Sequence, residues 1–345
     1  MKKILLGMSG GVDSTVAAIL LKNDGWQVIG ATLDLLPESD NTTIENAKES
    51  AKELGIEHHV LDFKEEFKKN VIDDFVCKYT CGKTPSPCIE CNRHIKFGAF
   101  LKYAEEMGIE YIATGHYAKT EYDKTLKRYL LKKADCIEKD QSYMLYTLSQ
   151  HQLSRAVFPL QNLTKDEVRK IAKENNLSAS SRGDSQEICF VPDDDHIKFL
   201  SDNMEKELPQ GNFVDESGNI LGTHQGIHRY TVGQRKGLGI AFGKPMFVTK
   251  IDAENNQVIL GESGSEYSSF LIAGSVNFIP FEKLTEPIFA QCKVRYGNKY
   301  YGGTISPYGE DKIRIDFETP ARAVTPGQSV VFYDGDIVIG GGIIL

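Results

Sequence analysis

The sequence predicts a doubly wound, parallel α/β sheet in its first half and an all-β region in its second. In the first half, short apolar runs alternate with stretches of helical spacing. The first run ends in the glycine turn Ser9-Gly10-Gly11-Val12-Asp13-Ser14, which opens straight into an apolar helix. From about residue 210, glycine turns and β-branched runs replace the helical patterns, as in "PMFVTKIDAENNQVILG" and "SVVFYDGDIVIGGGII". That texture reads as a small linking domain followed by a barrel or sandwich. At 345 residues the chain exceeds one ordinary core, so two or three domains are expected.

Taken in order, "ILLGM" reads as a strand and "TVAAILLKNDG" as a helix closing at Gly25. "WQVIGATLDL" is again strand-like. In "TTIENAKESAKELG" the helical spacing of Ile44, Ala47, Ala51 and Leu54 stops at Gly55. "EHHVLDF" reads as a third strand, "NRHIKFGAFLKYAEEMG" as a helix stopping at Gly108, and "IEYIATGHY" as a strand and loop. Thr164 and Glu167 are spaced as a capping box at the head of "KDEVRKIAKENN".

Apolar residues make up 41% and charged residues 26%, a globular balance. No run approaches the roughly 18 apolar residues of a membrane span. The Met-Lys-Lys start mimics a secretion signal, but its apolar stretch ends after Leu6. A cytoplasmic protein with reduced thiols is expected. The net charge of −8 taken alone argues against a nucleic-acid partner. Two stretches depart from it. "KTEYDKTLKRYLLKK" carries six Lys/Arg against two acids, and 217–251 has no Asp or Glu while holding Arg229, Arg235, Lys236, Lys244 and Lys250 among seven glycines. Each is a solvated loop or a seat for an anionic partner.

Of seven cysteines, Cys77, Cys81, Cys88 and Cys91 crowd into one short stretch. In a reducing compartment such clustering suggests metal or sulfur chemistry more than a disulfide framework. Free cysteine more often serves as a small buried hydrophobe, the expectation for Cys136 and Cys292.

A strand, glycine turn and helix place free backbone N–H groups and the positive end of a helix dipole beside a phosphate. Gly10 and Gly11 permit close approach, and the hydroxyls of Ser9 and Ser14 add donors. The turn lies on the first βα connection, where doubly wound folds bind ligands. It lacks the lysine with which a Walker loop reaches the β- and γ-phosphates. Such a loop instead suits holding a departing pyrophosphate while chemistry proceeds at the α-phosphate.

"SGGVDS" resembles the signature of the PP-loop ATP pyrophosphatases. "TPSPCIECNRHIKFG", "ATGHYA", "KDQSYML", "DSQEICFVPD", "YTVGQRKGLGI", "KVRYG" and "TPGQSVVFY" follow in the order seen in the tRNA-specific 2-thiouridylases, so the resemblance spans nearly the whole chain. It implies a PP-loop domain of the adenine nucleotide alpha hydrolase type over 1–195, a small β-rich central domain over 196–265 that contacts tRNA, and a C-terminal β-barrel over 266–345. It also implies ATP-dependent replacement of O2 of the wobble uridine by sulfur. O2 is adenylated with loss of pyrophosphate, and AMP departs when sulfur attacks.

By the same resemblance, Cys189 carries a persulfide and Cys91 is the nucleophile that releases its sulfur, leaving a transient Cys91–Cys189 disulfide. ATP, with Mg2+, is expected at Gly7, Met8, Ser9, Gly10, Gly11, Val12, Asp13 and Ser14, and at Leu33 and Gly115. Ser86, Pro87 and Cys88 would line the target base. His116, Lys139, Asp140, Gln141, Arg295, Tyr296 and Gln328 match tRNA-contacting positions. A cysteine desulfurase or relay protein would supply the sulfur. The base must leave the anticodon stack, and the segment around "GQRKGLGI" is expected to close over it. Cys91 directly precedes the expected "NRHIKFGAF" helix, where the helix terminus would lower its pKa.

Where several relatives carry an aspartate three residues before the nucleophile, this chain has Cys88. Cys88, Cys91 and Cys189 would then also suit an iron–sulfur cluster that carries sulfur on an open iron. A structural zinc on Cys77, Cys81, Cys88 and Cys91 is a further alternative. A PP-loop ligase or amidotransferase acting on a small molecule, and a non-catalytic metal-binding RNA module, are the competing functions.

Overall fold

In strand β1 (Lys3–Gly7), Leu5 enters one core while Ile4 and Leu6 enter another on the opposite face. A sheet covered by helices on both faces demands this. The computed structural model describes residues 2–36, 42–182, 188–204, 206–240 and 242–345. β2 (Gln27–Asp34), β3 (Glu57–Asp62) and β4 (Tyr111–Ala113) follow, then a hairpin of β5 (Lys119–Asp123) and β6 (Arg128–Lys132), then β7 (Ala156–Val157). The sheet order is β3-β2-β1-β4-β7 with every neighbouring pair parallel. The order in which strands are added across the sheet reverses between β1 and β4, and the ends of these two strands form the switch point.

A central four-stranded sheet, β10-β11-β8-β9, is built from β8 (Gly211–Asp215), β9 (Ile220–His224), β10 (Met246–Asp252) and β11 (Gln257–Glu262) around Phe213, Val248, Val258 and Leu260. The last six strands are β12 (Tyr267–Phe278), β13 (Ile288–Lys293), β14 (Tyr301–Tyr308), β15 (Lys312–Arg322), β16 (Ser329–Asp334) and β17 (Ile337–Ile344). β12 pairs with both β15 and β17, so these strands close into a barrel.

Two sequence expectations are corrected. The basic stretch 119–133 is neither loop nor free cationic patch. It is the β5–β6 hairpin, which joins the barrel where Lys132 pairs with Ile337 and Lys133 N donates to Asp336 O at 2.8 Å. Four of its six basic side chains are met: Lys119 pairs with Asp135 at 2.6 Å, Lys132 with Glu121 at 2.8 Å, Arg128 Nε donates to Ile279 O at 2.9 Å, and Lys133 Nζ donates to Gly335 O at 2.9 Å.

The helix expected to begin after Cys91 begins at Pro87 and continues to Glu106, with wider π winding over Cys91–Ala99. Proline at the first helical position supplies the right φ and lacks an N–H that would be orphaned anyway. Gly98 tolerates the wider turn: a Cβ there would lie 3.0 Å from Arg93 O. The capping box of Thr164 and Glu167 forms as the spacing indicates.

Candidate functional site

The glycine turn leaves β1 and enters the helix Val12–Asn23 with Gly11 extended and no side chain capping it, so the first N–H groups point outward unclaimed. Ser9 N donates to Ser14 Oγ at 3.2 Å, and Ser14 Oγ donates to Gly11 O at 3.1 Å, which folds the loop on itself. Gly10 has φ +72°, and a Cβ there would lie 2.6 Å from Asn46 Cβ and 2.7 Å from Ala47 N. Only glycine lets the loop lie against the helix Thr42–Leu54. Gly115 backs the loop from the end of β4: its Cβ would lie 3.2 Å from Ser14 N. Met8 is buried, and Leu33 is half-buried near the end of β2.

Three residues absent from the sequence-based site hold this loop. Lys165 Nζ donates to Asp13 Oδ1 at 2.8 Å and Oδ2 at 2.7 Å. Tyr117 Oη donates to Asp13 Oδ1 at 2.8 Å. Arg182 donates to Gly10 O and pairs with Glu49 at 2.7 Å, tying loop to helix. A capping box announces the helix that carries Lys165, but nothing in the sequence links it to Asp13.

Cys88, Cys91 and Cys189 come together, close enough for charge on Cys189 or Cys88 to raise Cys91, and charge on Cys88 to raise Cys189. Cys91 is buried among Phe75, Ile95, Phe190 and Val191, whereas Cys88 and Cys189 are exposed and all three are free thiols. Cys91 lies one turn inside its helix rather than ahead of it. Burial pushes its thiol up to about 11, against a smaller opposing pull from Lys96. The lowered value expected from the helix terminus is therefore corrected: desolvation disfavours the thiolate more than nearby positive charge favours it. Cys292 is buried in the barrel core, and Cys136 is half-exposed. Among the described residues no group of three or more His, Cys, Asp or Glu is placed to hold a metal ion. The cluster and zinc donor sets thus do not form as placed. Of the motif "DSQEICFVPD", 184–187 lie outside the described residues.

All three units of the chain meet on the segment before Cys88. Gln328 Nε2 donates to Thr84 O at 3.1 Å and Pro85 O at 2.9 Å, and Thr84 N donates to Pro326 O at 2.9 Å. Thr84 Oγ1 donates to Thr231 Oγ1 at 3.3 Å, and a Cβ on Gly82 would lie 2.7 Å from Ile251 Cγ2. Ser86 is half-buried and Pro87 buried in that segment.

The remaining expected contacts are partly turned inward. Asp140 is buried, accepting from Ala134 N at 3.1 Å and from Ser142 Oγ at 2.8 Å, with its carboxyl raised by desolvation. Gln141 Oε1 accepts from Tyr117 N at 3.0 Å. His116 is buried, 2.8 Å from Thr114 Oγ1 through Nδ1, and burial holds its pKa well below the usual value. Tyr296 is exposed, with its ring 5.8 Å from that of Tyr143. Lys139 is half-buried, and Arg295 Nη2 donates to Ala323 O at 2.7 Å. Part of the segment expected to cover the base lines a cavity of about 600 Å³, whose walls contain no cysteine.

A glycine turn at the switch point of a five-stranded parallel sheet, backed by a glycine from β4, defines a nucleotide-binding α/β protein of the PP-loop class. Family profiles agree unit by unit. A profile described as "tRNA methyl transferase HUP domain" matches residues 2–193, "tRNA methyl transferase PRC-barrel domain" matches 197–262, and "Aminomethyltransferase beta-barrel domain" matches 268–344. The tRNA-specific 2-thiouridylase MnmA of Acetivibrio thermocellus is 53% identical over 99% of this chain and 99% of its own. That of Clostridioides difficile is 50% identical over 99% and 98%. The chain belongs to the tRNA-specific 2-thiouridylase family. A solved 4-thiouridine synthetase–RNA complex with bound ATP covers 58% of this chain and 50% of its own at 19% identity and a TM-score of 0.37, a likeness too slight to argue from.

Proposed function

We propose that this protein thiolates the wobble uridine of tRNA at position 2, using ATP. ATP binds over Gly7 to Ser14, with Leu33 and Gly115 beside it and Mg2+ entering as part of the nucleotide substrate. O2 of the uridine attacks the α-phosphate and pyrophosphate leaves along the loop, where the helix terminus favours negative charge. The terminal sulfur of a Cys189 persulfide then bonds to C2. The Cys91 thiol gives up its proton to the departing AMP and attacks Sγ of Cys189, the persulfide S–S bond passes its electron pair to the transferred sulfur, and AMP carries away the former O2. A Cys91–Cys189 disulfide remains, which a cellular thiol reopens.

The observation that supports this reading is the approach of Cys91 to Cys189 in a chain whose first βα turn opens a helix at an uncapped glycine. Ser86, Pro87 and Cys88 would line the base. His116, Lys139, Asp140, Gln141, Arg295, Tyr296 and Gln328 are assigned to tRNA by family position, with the backbones of Asp140 and Gln141 contributing more than their occupied side chains. We place the enzyme in the cytoplasm with a cysteine desulfurase or relay protein as donor; no described helix is long and apolar enough to cross a membrane. The unit boundaries 1–195, 196–265 and 266–345 are part of the same proposal.

In the test, purified protein receives ATP, unmodified tRNA and a persulfide donor. One AMP and one pyrophosphate per 2-thiouridine are expected, and pyrophosphate release driven by a small carboxylate without tRNA overturns the reading. We favour the persulfide route over an iron–sulfur cluster on Cys88, Cys91 and Cys189. Stoichiometric iron in protein purified without oxygen, with thiolation dependent on it, overturns that choice.

A further inference from the structure

The 600 Å³ cavity lies where the helix His196–Asn203, the central unit's glycine-rich turn and the barrel meet. Its walls include Arg229, Arg295, His196, Thr223, Thr231 and Gln234, and no Asp or Glu. Arg229 sits between buried His228 and Tyr230, so its backbone is firmly held. Among the described residues its side chain has no ion pair, and its Nε is buried with no hydrogen-bond partner. A half-buried guanidinium left in that state is costly unless an anion joins it. Arg295, with one donor on Ala323 O, brings a second guanidinium to the same space. Gly233, Gly237 and Gly239 all have positive φ, near +87°, +75° and +75°, and bring bare backbone to the rim. The volume falls in the range of pockets that enclose a small ligand such as one nucleotide.

We propose that this cavity is a second RNA pocket, which takes a phosphate-bearing nucleotide of the bound tRNA other than the one being modified; this rests on the thiouridylase reading. The three units converge here as they do on the segment before Cys88, since Thr231 lines the cavity and is also bonded by Thr84. A strand passing the cysteines is thereby offered a second hold, and the acid-free run 217–251 gains a purpose within a chain of net charge −8. Charge-assisted bonds from two guanidiniums recognise a phosphate, and the half-open volume accommodates the attached sugar and base.

The test measures equilibrium binding of tRNA to the full-length chain across salt concentrations, alongside ATP binding. Arg229→Gln is expected to weaken tRNA about tenfold and to reduce the slope of log K against log salt by about one. At exposed Thr223, Thr223→Glu is expected to weaken tRNA and Thr223→Lys to strengthen it, an opposition that damage to the fold does not produce. An unchanged salt slope in Arg229→Gln, or shifts of one sign for both Thr223 variants, overturns the proposal. Weakened ATP binding with tRNA binding unchanged also overturns it, by making the occupant a free nucleotide. Wild-type protein that binds no tRNA removes this proposal and the thiouridylase reading together. Wild-type protein that thiolates tRNA while all three variants match it removes this proposal alone.

Discussion

Lys165 grips both carboxylate oxygens of Asp13, at 2.8 and 2.7 Å, from a helix that begins far along the chain. Lys165 is 11% and Asp13 33% exposed, so water screens the pair only in part. Hydrogen bonds to charged groups contribute about 1.5–3 kcal/mol. Lys165→Met is therefore expected to weaken ATP at least tenfold, and Tyr117→Phe by less. Titration calorimetry with ATP measures both. Wild-type affinity in Lys165→Met would show that the pair does not organise the loop.

Cys189→Ala is expected to retain ATP and tRNA binding while yielding no 2-thiouridine, and Cys91→Ala to behave likewise. Nucleoside mass spectrometry of the reacted tRNA reads the outcome. Thiolation surviving in Cys189→Ala removes the persulfide route.

Burial raises the Cys91 thiol to about 11, so at neutral pH it is protonated in the resting protein. Alkylation by iodoacetamide proceeds through the thiolate. Its rate at Cys91 should thus climb roughly tenfold per pH unit from pH 7 until about pH 10. The same shift makes stability fall with alkali. The unfolded chain releases this proton near its ordinary value of about 8.5, so the contribution is complete below that pH and lost as pH rises toward 11. Peptide mapping after timed alkylation follows the rate, and a plateau below pH 8.5 contradicts it.

Gln328 braces the carbonyls of Thr84 and Pro85 just ahead of the reactive thiols. Gln328→Ala removes two hydrogen bonds of roughly 1 kcal/mol each. The expectation is a lower melting temperature and a several-fold drop in turnover with ATP affinity unchanged. If turnover holds while tRNA affinity falls, Gln328 touches RNA more than it braces the loop.

The parts of this fold with local causes were legible in the sequence. The short apolar run Ile4, Leu5 and Leu6 announced a strand, the glycines at 10 and 11 a turn, and Thr164 with Glu167 a helix start. What escaped depends on partners distant in sequence. The β5–β6 hairpin is highly charged because its lysines meet carboxylates around it, and its edge is matched by β17 near the other end of the chain. Asp13 carries no mark of Lys165 or Tyr117. The helix start at Pro87 is a different case: proline in the first turn was a usable signal, outweighed by the apolar spacing that begins further on.

The pairing of Lys132 with Ile337 also bears on the protein's birth at the ribosome. The hairpin emerges well before the strand that pairs with its flank. Throughout elongation it presents an unpaired border, the kind of surface on which neighbouring nascent chains aggregate. Its dense charge supplies protection during that wait. A chain cut short between the hairpin and Ile337 would lose the cover permanently, leaving a product prone to precipitate even with its nucleotide loop complete.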